Sequence, residues 1–153
     1  MDEYEQAIAE IDLRRISFVC AGPRPEALVE RAERVVGFHF PPSLRRFVLE
    51  CGAGNIGSVE ICGVTTEDFE EDKVPNGVWL TMDERQRGLP TDLFVIGEDA
   101  LGGLIAVEAA GEGREGRVVL VEPGPSRSNA MRRFLASSFG GCVFRPMPTT
   151  HSG

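Results

Sequence analysis

The sequence predicts an α+β domain, with helices packed on one antiparallel sheet of about four to six strands. Three observations carry this. Apolar residues in the first fifty positions recur at helical spacing, i, i+3, i+4, i+7. From Val59 the period changes to that of strands. The linkers between the later strands, Glu98 to Gly103 and Gly111 to Gly116, are short and glycine-rich. Links this short favour antiparallel pairing, because a parallel pair needs a crossover of a dozen or more residues.

Each element has its own signal. Residues 3–14 place Tyr4, Ala7, Ile8 and Ile11 on one helical face. Pro23 and Pro25 start a second helix, since proline is tolerated in a first turn. Its inner stripe is Leu28, Ala32, Val35 and Val36, and Gly37 stops it. Pro41-Pro42-Ser43 opens a third helix, with Leu44, Phe47, Val48 and Cys51 on its inner side and Gly52 at its end. Val59 to Val64 reads as a strand. Pro75-Asn76-Gly77 is a turn, and a short helix follows over about 78–87, closed by Gly88. Strands are expected at Leu93 to Ile96, Leu104 to Ala109 and Val118 to Glu122. A last helical segment is expected near 130–144, broken at Gly140-Gly141. Residues 1–145 thus form one domain, and 146–153 read as a flexible tail.

The chain has 153 residues, of which 42% are hydrophobic and 26% charged. A domain of this size buries roughly 68–70% of its unfolded surface and needs no metal or disulfide to hold it. Cys20, Cys51, Cys62 and Cys142 form no C-x-x-C pair, and each is expected to act as a small buried hydrophobe. No apolar run approaches the ~20 residues of a membrane helix. The opening Met1-Asp2-Glu3-Tyr4-Glu5 is acidic, whereas a signal peptide opens with positive charge. The expectation is a cytoplasmic protein.

The net charge of −8 is unevenly spread. Residues 1–63 carry −3, residues 64–99 carry −7, and residues 100–153 carry +2. An acidic field repels nucleic acid and anionic membranes and attracts basic partners. The densest run is Glu67-Asp68-Phe69-Glu70-Glu71-Asp72. An aromatic ringed by charge is a common interface design, so these six residues are the first candidates for a partner-binding surface. Asp83, Glu84, Glu98 and Asp99 are secondary candidates.

Catalytic readings find less support. Gly52-Ala53-Gly54-Asn55-Ile56-Gly57 spells G-x-G-x-x-G, but a helix precedes it and a strand follows. A pyrophosphate loop needs the reverse order, so a helix cap running into a turn is the better reading. His39 lies between Phe38 and Phe40, which in an extended stretch points it away from both. His151 sits in the tail, and Ser126 and Ser128 lack a nucleophile-elbow pattern. The acidic run lacks the D-x-[DN]-x-[DN]-G spacing of a calcium loop. No catalytic residue, metal site or cofactor is assigned.

The ordered set of motifs resembles the SUKH superfamily over roughly residues 27–145. Phe40-Pro41-Pro42-Ser43-Leu44 and Gly52-Ala53-Gly54-Asn55 carry the N-terminal part, followed by Glu60-Ile61-Cys62-Gly63-Val64. Pro75-Asn76-Gly77-Val78-Trp79-Leu80 and Gly88-Leu89-Pro90 are similar to the next helix and its exit. Ile96-Gly97-Glu98-Asp99 with Gly102-Gly103 is similar to the family's glycine-rich hairpin, and Val118 to Val121 to the strand after it. Ser138-Phe139-Gly140-Gly141-Cys142-Val143-Phe144 resembles the closing helix, with two glycines as a departure. The family includes fungal cell-wall assembly regulators and bacterial immunity proteins that neutralise toxins, many of them nucleases. The resemblance therefore implies protein binding rather than catalysis, with a basic toxin as the expected partner. The alternative is a regulatory or scaffold module of the cell-wall type. The sequence does not fix the oligomeric state.

Overall fold

A computed structural model of the chain describes residues 2–65, 69 and 76–144. Helix α1 spans Glu3–Leu13 and is capped by Asp2, whose carboxylate accepts the Glu5 amide at 2.8 Å. It buries Tyr4, Ala7 and Ile11, while Ile8 stays 36% exposed. Strand β1, Phe18–Cys20, follows, and was not expected from the sequence. Helix α2, Glu26–Val36, ends at Gly37 with φ 99°, a left-handed closure that favours glycine. Its buried face is Leu28, Val29, Ala32, Glu33 and Val36. Val35, expected inside, is exposed, and the carboxylate of Glu33 is inside instead. That carboxylate accepts the Phe40 amide at 2.7 Å and Arg45 Nε at 3.3 Å, so a buried charge is fully engaged.

Helix α3, Pro42–Cys51, buries Ser43, Leu44, Phe47, Val48 and Cys51 and ends at Gly52. A Cβ on Gly52 would stand 2.7 Å from the Gly22 carbonyl oxygen, which is why the chain is bare there. Strands β2, Gly54–Ile56, and β3, Val59–Ile61, come next. Helix α4, Gly77–Arg85, is capped by Asn76, whose side chain accepts the Trp79 amide at 3.1 Å. Four strands complete the sheet region: β4 Leu93–Glu98, β5 Leu104–Glu108, β6 Val118–Val121 and β7 Arg132–Ala136. Helix α5, Phe139–Phe144, closes the described chain.

The strands form two antiparallel sheets rather than one, in the orders β1-β2-β3 and β4-β5-β6-β7. A hydrogen bond from the Cys62 amide to the Ile96 carbonyl, 2.8 Å, joins their neighbouring edges. The expected helix near 130–144 is replaced by β7 and the six-residue α5. Met131, Phe134 and Leu135 sit at helical spacing, which mimics a helix. Pairing with β6 overrides that local preference and leaves Met131 and Phe134 exposed.

Both faces of β4, β5 and β6 are covered. Phe94, Ile96, Ile105, Val107, Val118 and Leu120 join the main core with Leu44, Phe47 and Val48. The alternate residues Leu93, Val95, Leu104, Ala106, Val119 and Val121 pack with Leu80 and Leu89. Burial on both sides explains why these strands read as continuous apolar runs.

The cysteine expectation holds for two residues and fails for two. Cys62 and Cys142 are buried and stand outside the disulfide. Cys20 and Cys51 form a disulfide, with Cα atoms 4.9 Å apart. Pairing of β1 with β2 carries Cys20 back over the end of α3, which no sequence spacing announces.

Candidate protein-binding surface

The acidic segment leaves and rejoins the body at one point. Gly63 and Asn76 form a parallel bridge, and the Gly77 amide donates to the Gly63 carbonyl at 2.7 Å. Both glycines are required by close approach. A Cβ on Gly63 would fall 1.9 Å from the Gly52 oxygen, and one on Gly77 would fall 2.8 Å from the Phe94 ring. Glu67, Asp68, Glu70, Glu71 and Asp72 lie outside the described residues. Phe69 is described: it packs half-buried against the main core, and the Arg31 guanidinium lies 5.4 Å from its ring centroid. In the free protein the Phe69 side chain therefore packs beside Arg31 of α2, half-buried rather than fully exposed.

The secondary candidates separate into three kinds. Glu84 is buried and bonded to Arg127 Nε at 3.0 Å and Arg87 Nη1 at 3.1 Å. Arg127 also donates to the Glu122 and Gly102 carbonyls, so this pair holds the link between β6 and β7 against α4. Glu84 is internal and is removed from the contact surface. Asp83 is half-buried and paired with Arg87 at 3.2 Å, while Asp99 accepts the amides of Leu101 and Gly103 and shapes the β4–β5 turn. Glu98 is exposed and makes no ion pair among the described residues.

Glu60, outside the densest acidic run, completes the set. It is exposed, lies next to Gly97 on the neighbouring strand, and has no ion pair among the described residues. Its alternation with Val59 and Ile61 is the signal that marks it as outward-facing. Burial pushes the Cys62 thiol up to about 12, with the charges of Glu60 and Glu98 adding to the effect. The two carboxylates thus act on one spot, beside the root of the acidic segment.

Other charged groups serve the fold. Arg132 bonds Asp92 and Glu108 at 2.7 Å each, and Arg117 bonds Glu108 at 2.6 Å. The Arg132 hydrogen bond holds the Asp92 carboxyl below its usual range. For Glu108 burial works upward, but the hydrogen bonds from Arg117 and Arg132 win and hold it low. This neutral quartet clamps the ends of β5, β6 and β7.

The remaining sequence candidates gather into no site. His39 is exposed, 3.5 Å from the already engaged Glu33 carboxylate, and faces away from buried Phe40 as expected. His151 lies outside the described residues. Ser126 and Ser128 bond each other at 2.8 Å. Gly52 caps a helix, and Gly54 to Ile56 is strand, so the G-x-G-x-x-G string does not cradle phosphate. An open groove of about 1450 Å³ runs between α2, α3 and the loop at 110–114, with Phe38 and Leu49 among its apolar lining. Its walls carry both signs, including Glu30, Arg34 and Arg114.

Among the described residues no helix is long and apolar enough to cross a membrane. A family model, SUKH_5, described as SMI1-KNR4 cell-wall, matches residues 5–139. No curated protein matches the chain significantly.

Proposed function

The chain belongs to the SUKH_5 family, SMI1-KNR4 cell-wall, and from that premise we propose that it is an immunity protein that binds a basic toxin domain and blocks its active site. The observation that carries the reading is a pair of unneutralised carboxylates. Glu60 and Glu98 stand exposed and unpaired among the described residues, beside the root of a segment whose region carries −7. A nuclease needs a basic cleft to hold phosphate, and an acidic partner fits that cleft. The proposed contact residues are Glu67, Asp68, Phe69, Glu70, Glu71 and Asp72, with Glu60, Glu98, Asp83 and Asp99 as further contact residues. Charge complementarity also speeds encounter, which matters when the inhibitor must act before the toxin does.

The test is affinity capture with the tagged chain at low and high salt, read by mass spectrometry. A stoichiometric, salt-sensitive partner with a basic toxin domain supports the reading. Reversing charge at Glu70, Glu71 and Asp72 should weaken that capture at low salt and matter less at high salt. Unchanged affinity at low salt would remove this surface.

The family description favours a second reading, a regulatory module in cell-wall assembly. Capture of wall-synthesis proteins, with no toxin-dependent death on deletion of the gene, would select it.

A further inference from the structure

The disulfide joins a short edge strand to the end of a core helix. Cys20 ends β1, a three-residue strand at the edge of the small sheet, and Cys51 ends α3. Within β1 Phe18 is half-buried, Val19 is 58% exposed and Cys20 is exposed, so the strand has little core of its own. Beyond it a strip of backbone lies along the end of α3. The Ala21 amide donates to Ala53, that of Gly22 to Cys51 and that of Arg24 to Leu49, at 2.8–2.9 Å. Short edge elements with few apolar contacts open at low free energy.

We propose that the Cys20–Cys51 bond is a redox latch, fixing β1 and the strip at 21–24 on α3 when formed and releasing them when reduced, with the main core unchanged. The proposal does not depend on the identity of any partner. The reductant is a dithiol. Its thiolate attacks the sulfur of Cys20, the exposed residue of the pair, the S–S bond breaks, and Cys51 leaves with the electron pair and takes up a proton. The second thiol then attacks the mixed disulfide and releases Cys20 as the thiol. The dithiol becomes a disulfide, and the protein gains two electrons and two protons. Cys62 and Cys142 stay out of the exchange, because burial pushes their thiols up to about 12 and about 11 and keeps thiolate scarce. In a reducing compartment the latch stands open, and the free edge of the small sheet passes from β1 to β2.

The test uses the full chain, air-oxidised or reduced with dithiothreitol. Alkylation in denaturant with peptide mapping should modify Cys62 and Cys142 alone in the oxidised protein and recover Cys20 joined to Cys51. Hydrogen exchange read by mass spectrometry should then show the amides of Ala21, Gly22 and Arg24 exchanging at least about tenfold faster after reduction, with β4 to β6 unaltered. The Cys20→Ser variant should show the reduced pattern with or without dithiothreitol, and Cys62→Ser should keep the switch. Four alkylated cysteines in oxidised protein would overturn the proposal, as would unchanged exchange after reduction. Acceleration throughout the reduced chain, or an unfolded Cys20→Ser, would overturn it too, because the bond would then be a staple for the whole fold.

Discussion

The Ser43 hydroxyl accepts a hydrogen bond from the Gly140 amide at 2.9 Å, joining α3 to α5 across 97 positions of sequence. The same hydroxyl donates to Glu115 at 3.0 Å, and the Ser43 amide bonds that carboxylate at 3.2 Å. Pro41 and Pro42 have no amide hydrogen and Pro41 no capping side chain, so a loop glutamate caps the helix. The two glycines that depart from the family pattern also find their reason here. A Cβ on Gly140 would lie 3.1 Å from the Tyr4 backbone, and one on Gly141 would lie 3.2 Å from the Ser138 hydroxyl. Bare backbone lets α1 close over α5.

Ser43→Ala should therefore lower stability by about 1–3 kcal/mol, because it leaves the buried Gly140 amide without its partner. Gly140→Ala should lower it by about 1–3 kcal/mol through overpacking against Tyr4. Urea unfolding at constant m-value checks both.

Arg15 closes α1 with φ 55°, the one described residue other than glycine at positive φ. The Ile16 amide reaches back to the Ile11 carbonyl at 3.0 Å, the closure that usually carries glycine. Relief of the left-handed strain exceeds glycine's extra chain entropy, so Arg15→Gly should raise stability by roughly 0.5–1 kcal/mol. A thermal melt that falls would refute the assignment.

The Asp92–Arg132–Glu108–Arg117 quartet sets a pH dependence. Both carboxyls titrate below their ordinary values of 3.8 and 4.5 in the folded chain. Folding then binds fewer protons than the unfolded chain. The stabilisation is complete above the unfolded values and is lost as pH falls through the lower folded ones. Arg132→Met should flatten the fall of the urea midpoint between about pH 5 and pH 2 relative to the parent protein. An unaltered slope would show that other carboxyls dominate acid unfolding.

Helix ends were legible in the sequence because Gly37, Gly52 and Gly88 punctuate it, and the structure places all three at positive φ. Phe18–Cys20 and Gly54–Ile56 were not, since three residues hold too little alternation to be told from loop. The acidic run is a matter of composition and was visible at once. Which carboxylates around it face solvent was not. Glu84 and Glu98 look alike in sequence, but Arg127, 43 positions from Glu84, joins Arg87 in engaging the buried one. Cys20 and Cys51, 31 positions apart, were hidden for the same reason.

That difference between Glu84 and Glu98 separates folding from binding by experiment. Glu84→Lys buries a positive charge beside Arg127 and Arg87, and should cost several kcal/mol or abolish folding. Glu98→Lys and Glu60→Lys sit on the surface and should change stability by no more than about 0.5 kcal/mol. If the acidic patch meets a basic toxin, the surface pair should instead slow association by about tenfold at low salt, with the effect fading as salt rises. Arg34→Glu, on the lining of the groove, is the control and should leave the rate unchanged. Stopped-flow association at two ionic strengths reads all of these. A loss confined to Arg34→Glu would move the interface to the groove. Loss at Glu60 and Glu98, with folding intact, would fix it at the root of the acidic segment.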